Sequence, residues 1–119
     1  MAGYESIVIL DPNTTEEDQK SLLEKMTQAV AGKGGSVLHR TLWGRRKLAY
    51  PVKKLDYGIY HVLYLDENPE ALTAMETFMR YEDGVLKWQT VSVEDVEVEF
   101  AKFEKLKTEG SVAQNLSDR

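Results

Sequence analysis

Tyr4-Glu5-Ser6-Ile7-Val8-Ile9-Leu10 is a β-branched apolar run that stops at Asp11-Pro12-Asn13, where proline cannot continue a central strand. A first strand is read here. Thr14 and Glu17 then stand at capping-box spacing, and Leu22, Leu23, Met26, Ala29 and Val30 recur on one face, so a helix is expected from about 15 to 31. Gly32, Gly34 and Gly35 should end it, because glycine accepts left-handed backbone without a Cβ penalty.

Residues 36–43 (Ser-Val-Leu-His-Arg-Thr-Leu-Trp) read as a second strand. Lys47 to Val52 and Gly58 to Leu65 read as further strand material broken at Lys54-Leu55-Asp56, which makes 44–57 a long hairpin between strands two and three. Asn68-Pro69 supplies an N-cap with proline at the first helical position, and Leu72, Met75, Phe78 and Met79 follow at helical spacing up to Asp83-Gly84. Val85 to Val93 is the fourth strand. The order βαββαβ predicts an α+β, ferredoxin-like domain, a four-stranded antiparallel sheet with two helices on one face. The domain is expected over 1–94, and 95–119 form a C-terminal extension. There Val96, Phe100, Phe103 and Leu106 suit a short amphipathic helix, and the polar residues from Thr108 to Arg119 suit a disordered tail.

At 119 residues, 42% hydrophobic and 29% charged, the chain has length for one modest core. The absence of cysteine removes disulfides, thiol nucleophiles and thiolate metal sites, and fits a reducing, cytoplasmic setting. The start, Met1-Ala2-Gly3-Tyr4-Glu5, has no export pattern, and no run approaches the roughly 18 apolar residues of a spanning helix, so no membrane association is expected. The net charge of −5 would argue against nucleic acid, but it is unevenly spread. Between residues 40 and 61, Arg40, Arg45, Arg46, Lys47, Lys53 and Lys54 face only Asp56, a local balance of +5. Clustering of this kind is an electrostatic footprint.

The strands carry apolar side chains on both faces. The third sets Ile59, His61, Leu63 and Leu65 against Tyr60, Val62 and Tyr64; the fourth sets Val85, Val91 and Val93 against Leu86 and Trp88; the first sets Val8 and Leu10 against Ile7 and Ile9. Either amphipathic tyrosines tolerate solvent while the C-terminal segment folds back over part of the sheet, or another macromolecule covers the helix-free face. The second reading is preferred here, with Tyr60, Val62, Tyr64 and Trp88 as the partner-binding residues.

Five cations and two aromatics crowd Trp43-Gly44-Arg45-Arg46-Lys47-Leu48-Ala49-Tyr50-Pro51-Val52-Lys53-Lys54. A charge run is ordinarily a solvated face. Its placement on a protruding hairpin favours RNA instead, where arginine and lysine meet phosphates and aromatic rings stack on unpaired bases.

Residues 43–52 of that stretch also resemble the signature of the bacterial small-subunit ribosomal protein S-six family. The likeness extends to Tyr4-Glu5, Asp11-Pro12-Asn13, Tyr57-Gly58 and the element order, covering roughly residues 3 to 93; the family position held by Val52 is more often isoleucine. The resemblance implies a non-enzymatic, structural protein that binds small-subunit rRNA in the central, or platform, domain beside ribosomal protein S-eighteen. Arg45, Arg46, Lys47 and Tyr50 lie inside the matching motif, whereas Arg40, Lys53 and Lys54 join the RNA patch on charge and proximity.

Other chemistry fits less well. His39 and His61 sit on strands without HExxH spacing, so no metal site is expected. Glu16-Glu17, Glu82-Asp83 and Glu94-Asp95 read as capping and solubility, not as an acid/base pair. Gly32-Lys33-Gly34-Gly35 lacks P-loop spacing and follows a helix, the wrong end for an anion. An RNA-recognition motif would place aromatics where Ile59 and His61 stand. An acylphosphatase-like enzyme would need an arginine in the Asp11 to Thr15 loop, which has none. No catalytic residue, cofactor or small-molecule substrate is therefore expected. The alternative is a regulatory protein-interaction domain that uses its apolar sheet without RNA.

Overall fold

The computed structural model describes residues 1–109. The elements follow as β1 (Gly3–Leu10), α1 (Glu16–Ala31), β2 (Val37–Val52), β3 (Leu55–Asp66), α2 (Pro69–Arg80), β4 (Val85–Val93) and α3 (Val96–Glu109). The strands form one antiparallel sheet in the order β2-β3-β1-β4. This is the expected ferredoxin-like α+β arrangement, with a third helix added. The tail expected to be disordered, from residue 110 on, lies outside the described residues.

Local signals placed most boundaries. Asn68 caps α2 by accepting from Ala71 N at 3.0 Å, with Pro69 in the first turn. The cap of α1 differs from expectation. Thr15, not Thr14, accepts from Asp18 N at 3.0 Å, while the Thr14 hydroxyl donates to the Asp11 carbonyl and closes the turn. After α1, only Gly34 uses positive φ (77°), and Gly35 is required for a different reason: a Cβ there would lie 2.5 Å from Ala71 Cβ.

Val8, Leu10, Leu63, Leu65 and Val85 face α1 and α2, meeting Leu22, Leu23, Met26, Val30, Ala71, Met75 and Met79 in the main core. Burial of each of these valine, leucine and methionine side chains stabilises by roughly 1.5–3 kcal/mol. The opposite face is covered as well. Ile7, Ile9, Trp43, Leu48, Tyr60, Val62 and Tyr64 form a second core with Val96 and Phe103 of α3, and Phe100 packs against it. The C-terminal segment therefore folds back over the sheet, which corrects the expectation of a face left open for another macromolecule.

Three contacts hold α3 in place. Asp95 caps it, accepting from Glu97 N (3.0 Å) and Val98 N (3.3 Å) and pairing with the N-terminal amine at 3.6 Å. Chiefly the Val98 backbone N–H, with the nearby amine, holds the Asp95 carboxyl below the ordinary aspartate range. His39 of β2 stacks on Phe100 (centroids 4.0 Å apart, planes 4° off parallel), and its Nε2–H donates to the Glu97 carboxylate at 2.9 Å. At the other end, the Lys107 ammonium donates to the Thr41 hydroxyl and to the Leu42 carbonyl.

Candidate nucleic-acid interface

β2 and β3 form a long ribbon whose register runs regularly from Thr41↔Val62 through a bulge to Lys47↔Tyr57, then slips before Val52↔Leu55. Beyond the slip the distal ribbon lies against the sheet. Leu48 is buried there and Val52 packs against the second core, so the hairpin does not stand clear of the body as expected. Between the ribbon and β4 lies a crevice of about 30 Å³ floored by Ile7, Ile9 and Tyr60, room for about one water.

Two lysines make the turn. Lys53 (φ 51°) and Lys54 (φ 66°) both occupy left-handed backbone, the pattern of a two-residue hairpin loop that usually takes Asn-Gly. Each non-glycine residue there costs roughly 1–2 kcal/mol. Strained backbone of this kind concentrates at functional sites, and both ammonium groups are solvent-exposed at the tip. The double variant Lys53→Asn/Lys54→Gly should gain roughly 1–2 kcal/mol of unfolding free energy, read as a higher urea midpoint, while binding RNA more weakly. Equal stability and equal affinity would show that neither strain nor charge matters at the tip.

The remaining cations are spread over both sides of the ribbon. The Arg45 guanidinium lies 5.0 Å from the centroid of Tyr57, and that of Arg46 lies 5.5 Å from the buried ring of Trp43, with Arg46 Nε itself buried. Arg40 and Lys47 are exposed. Among the described residues none of the six hairpin cations is held in an ion pair. Arg40, Arg45, Lys47, Lys53 and Lys54 are thus open to solvent, as phosphate binding requires, while Arg46 is half-buried. Tyr50 is exposed, and its hydroxyl accepts from Lys87, whose ammonium sits 4.7 Å over the ring. Lys87 was not legible as a site residue, because nothing in the sequence places β4 beneath the ribbon; Tyr57 carried the aromatic signal but stood beyond the quoted stretch.

The sheet residues expected to meet a protein partner are placed otherwise. Tyr60, Val62 and Tyr64 are buried under α3 and the ribbon. The Tyr64 hydroxyl donates to Glu5 at 2.8 Å, and burial, reinforced by that carboxylate, raises its pKa; burial alone raises that of Tyr60. Trp88 lies on the opposite face, against the main core, with Nε1–H donating to Glu76 of α2 at 3.1 Å. The irregularity where Ile9 pairs with Lys87 and Leu10 with Val85 shifts the alternation of β4, so Val85 and Trp88 share a face and Leu86 joins the other core. His61 is buried and meets Gln19 at 3.3 Å, and His39 is engaged with α3. Among the described residues no group of three or more histidines and carboxylates is placed to hold a metal, and no helix is long and apolar enough to cross a membrane.

Comparison with known proteins bears on the whole unit. The family model for ribosomal protein S6 matches residues 3–92. Small ribosomal subunit protein bS6 of Caldanaerobacter subterraneus subsp. tengcongensis is 33% identical over 95 residues, covering 80% of this chain and 100% of that protein. The protein of the same name from Clostridium novyi is 38% identical over 94 residues, covering 79% and 99%. Among solved structures, the 30S ribosomal protein S6 of Thermotoga maritima superposes with a TM-score of 0.72 at 31% identity, over 86% of this chain and 96% of that one. Matches of this extent, over the same βαββαβ core that carries the cationic ribbon, establish that the chain belongs to the ribosomal protein S6 family.

Proposed function

We propose that the chain is a structural constituent of the bacterial small ribosomal subunit, in the cytoplasm, where its β2–β3 ribbon grips folded rRNA of the central domain. The role is binding, not catalysis. The observation that carries it is the cationic ribbon itself: Arg40, Arg45, Arg46, Lys47, Lys53 and Lys54, with Tyr50, in a chain whose overall charge is −5. Phosphate contacts would supply position and most of the affinity, with aromatic surface available for unpaired bases.

Ribosomal protein S-eighteen is the protein neighbour that family membership suggests. Because Tyr60, Val62 and Tyr64 are covered, such a partner would meet exposed apolar side chains instead, among them Val98 and Leu106 of α3, Val91 of β4 and Tyr50 of the ribbon.

Replacing Arg45 and Arg46 together by alanine tests the rRNA reading. Incorporation into small subunits, followed by sedimentation from a lysate, should fall by tenfold or more, while far-UV circular dichroism stays that of the wild type. Undiminished incorporation would overturn the ribbon as the rRNA contact and favour a protein-interaction domain that never meets RNA.

A further inference from the structure

β2 is an edge strand of the sheet, and its helix-side face overhangs α1 where open space is lined by the two elements together. The overhang leaves a furrow between them in two stretches of about 370 and 580 Å³ that meet at Arg40. The stretch nearer the ribbon has a distinctive wall. Lys20 of α1 faces Arg40 and Arg45 of β2 across it, and Glu16 is the one carboxylate lining it among the described residues. At its floor, His61 is uncharged at neutral pH, burial and secondarily Arg40 having lowered its pKa to about 4. Beyond Arg40, Glu24 lines the second stretch and ends the cationic part.

Leu42 supplies a different signal. It projects from the β2 wall at 55% exposure, an aliphatic side chain between arginines. Its neighbour Arg45 lies over the exposed ring of Tyr57, so a guanidinium and an aromatic ring stand beside the furrow on the ribbon. Cations alone would suit any polyanion. Cations alternating with an apolar side chain and an aromatic ring suit an unpaired strand, whose base faces are free to meet such groups; a duplex keeps its bases paired and stacked.

We propose that the furrow between α1 and the overhanging face of β2 binds single-stranded RNA, with phosphates on Lys20, Arg40 and Arg45 and a base or ribose against Leu42. The inference rests on the rRNA reading and extends its footprint from the ribbon onto α1.

The test measures fluorescence anisotropy of the full chain at about 0.1 M salt, where charges beyond ~10 Å are screened. The probes are a labelled uridine-rich single strand, the same strand in a duplex, and a transcript of the rRNA central domain. Lys20→Glu/Arg40→Glu and, separately, Leu42→Asp are compared with Lys25→Glu/Lys33→Glu, which makes the same charge change elsewhere on the α1 side. Both furrow variants should lose tenfold or more for the single strand relative to the control pair, and the wild type should prefer single strand to duplex. Furrow variants that bind the single strand like the control pair, or a wild type that favours duplex, would overturn the furrow. If in that case the wild type still binds the transcript, the rRNA reading stands alone; if it binds neither RNA, both fall.

Discussion

Phe103→Ala should release α3 from the sheet while leaving the rest of the fold standing. The ring is 6% exposed, and Trp43 meets it edge-on with centroids 5.7 Å apart. Truncating a buried phenylalanine costs about 3–5 kcal/mol. How that cost appears depends on connectivity. α3 is a single helix joined to the body only through β4, and its apolar contacts are confined to one sheet face, so it can detach without opening the main core between sheet, α1 and α2. Local opening is then the cheaper response. Hydrogen exchange should show the α3 amides losing protection by roughly 100-fold or more, the equivalent of ~3 kcal/mol, with α1 amides unchanged. Wild-type protection in α3 would mean that His39, Lys107 and Asp95 hold the helix without the ring. The release would also uncover Tyr60, Val62 and Tyr64, and so separates two modes of partner docking: a partner that binds the variant more tightly uses the sheet, and one that binds it more weakly uses α3.

Acid should find a second weak point at His61. Its imidazole is 7% exposed, and burial first, then the charge of Arg40, lowers its pKa to about 4 from an ordinary 6.5. The folded state therefore resists a proton that the unfolded chain accepts. Above pH 6.5 neither state is protonated and no stability is lost; between 6.5 and 4 only the unfolded chain takes up the proton, and stability falls as pH falls. Over that window the loss attributable to this residue is about 3 kcal/mol. His61→Gln keeps a donor for Gln19 and cannot titrate. Urea unfolding at pH 7 and at pH 4 should show the wild type losing about 3 kcal/mol more than the variant. Parallel losses would show that His61 protonates within the fold at its ordinary pKa.

The readings that held were local. Ile7, Val8, Ile9 and Leu10 before Asp11-Pro12, and Asn68-Pro69 before Leu72 and Met75, specify strand and helix through side chains that act within one turn or one pleat. Alternation also told which side chains of β1 and β3 share a face, because those strands pair without irregularity. It could not tell what lies over a face. Tyr60, Val62 and Tyr64 alternate in the same way whether covered by a foreign protein or by Phe100 and Phe103 some forty residues later in the chain. Trp88 was assigned to the wrong face because a break in pairing between Ile9 and Leu10 leaves no mark in the sequence of β4. The cations of the ribbon were legible because charge on an edge strand has few places to go but solvent. Their backbone was not: Lys53-Lys54 takes a turn that its residue types disfavour, and only the dihedral angles disclose it.

Salt dependence bears most directly on a ribbon that grips rRNA. Six ribbon cations that neutralise phosphates should release counterions from the RNA and make log Kd rise with log salt with a slope of about 4–5, and each cation removed should lower the slope by about 0.7–0.9. Filter binding of the wild-type chain to a central-domain rRNA transcript, with S-eighteen supplied, is expected to give that slope and a clear preference over an unrelated RNA of equal length. An affinity at low ionic strength no greater for the central domain than for the unrelated RNA would contradict the account.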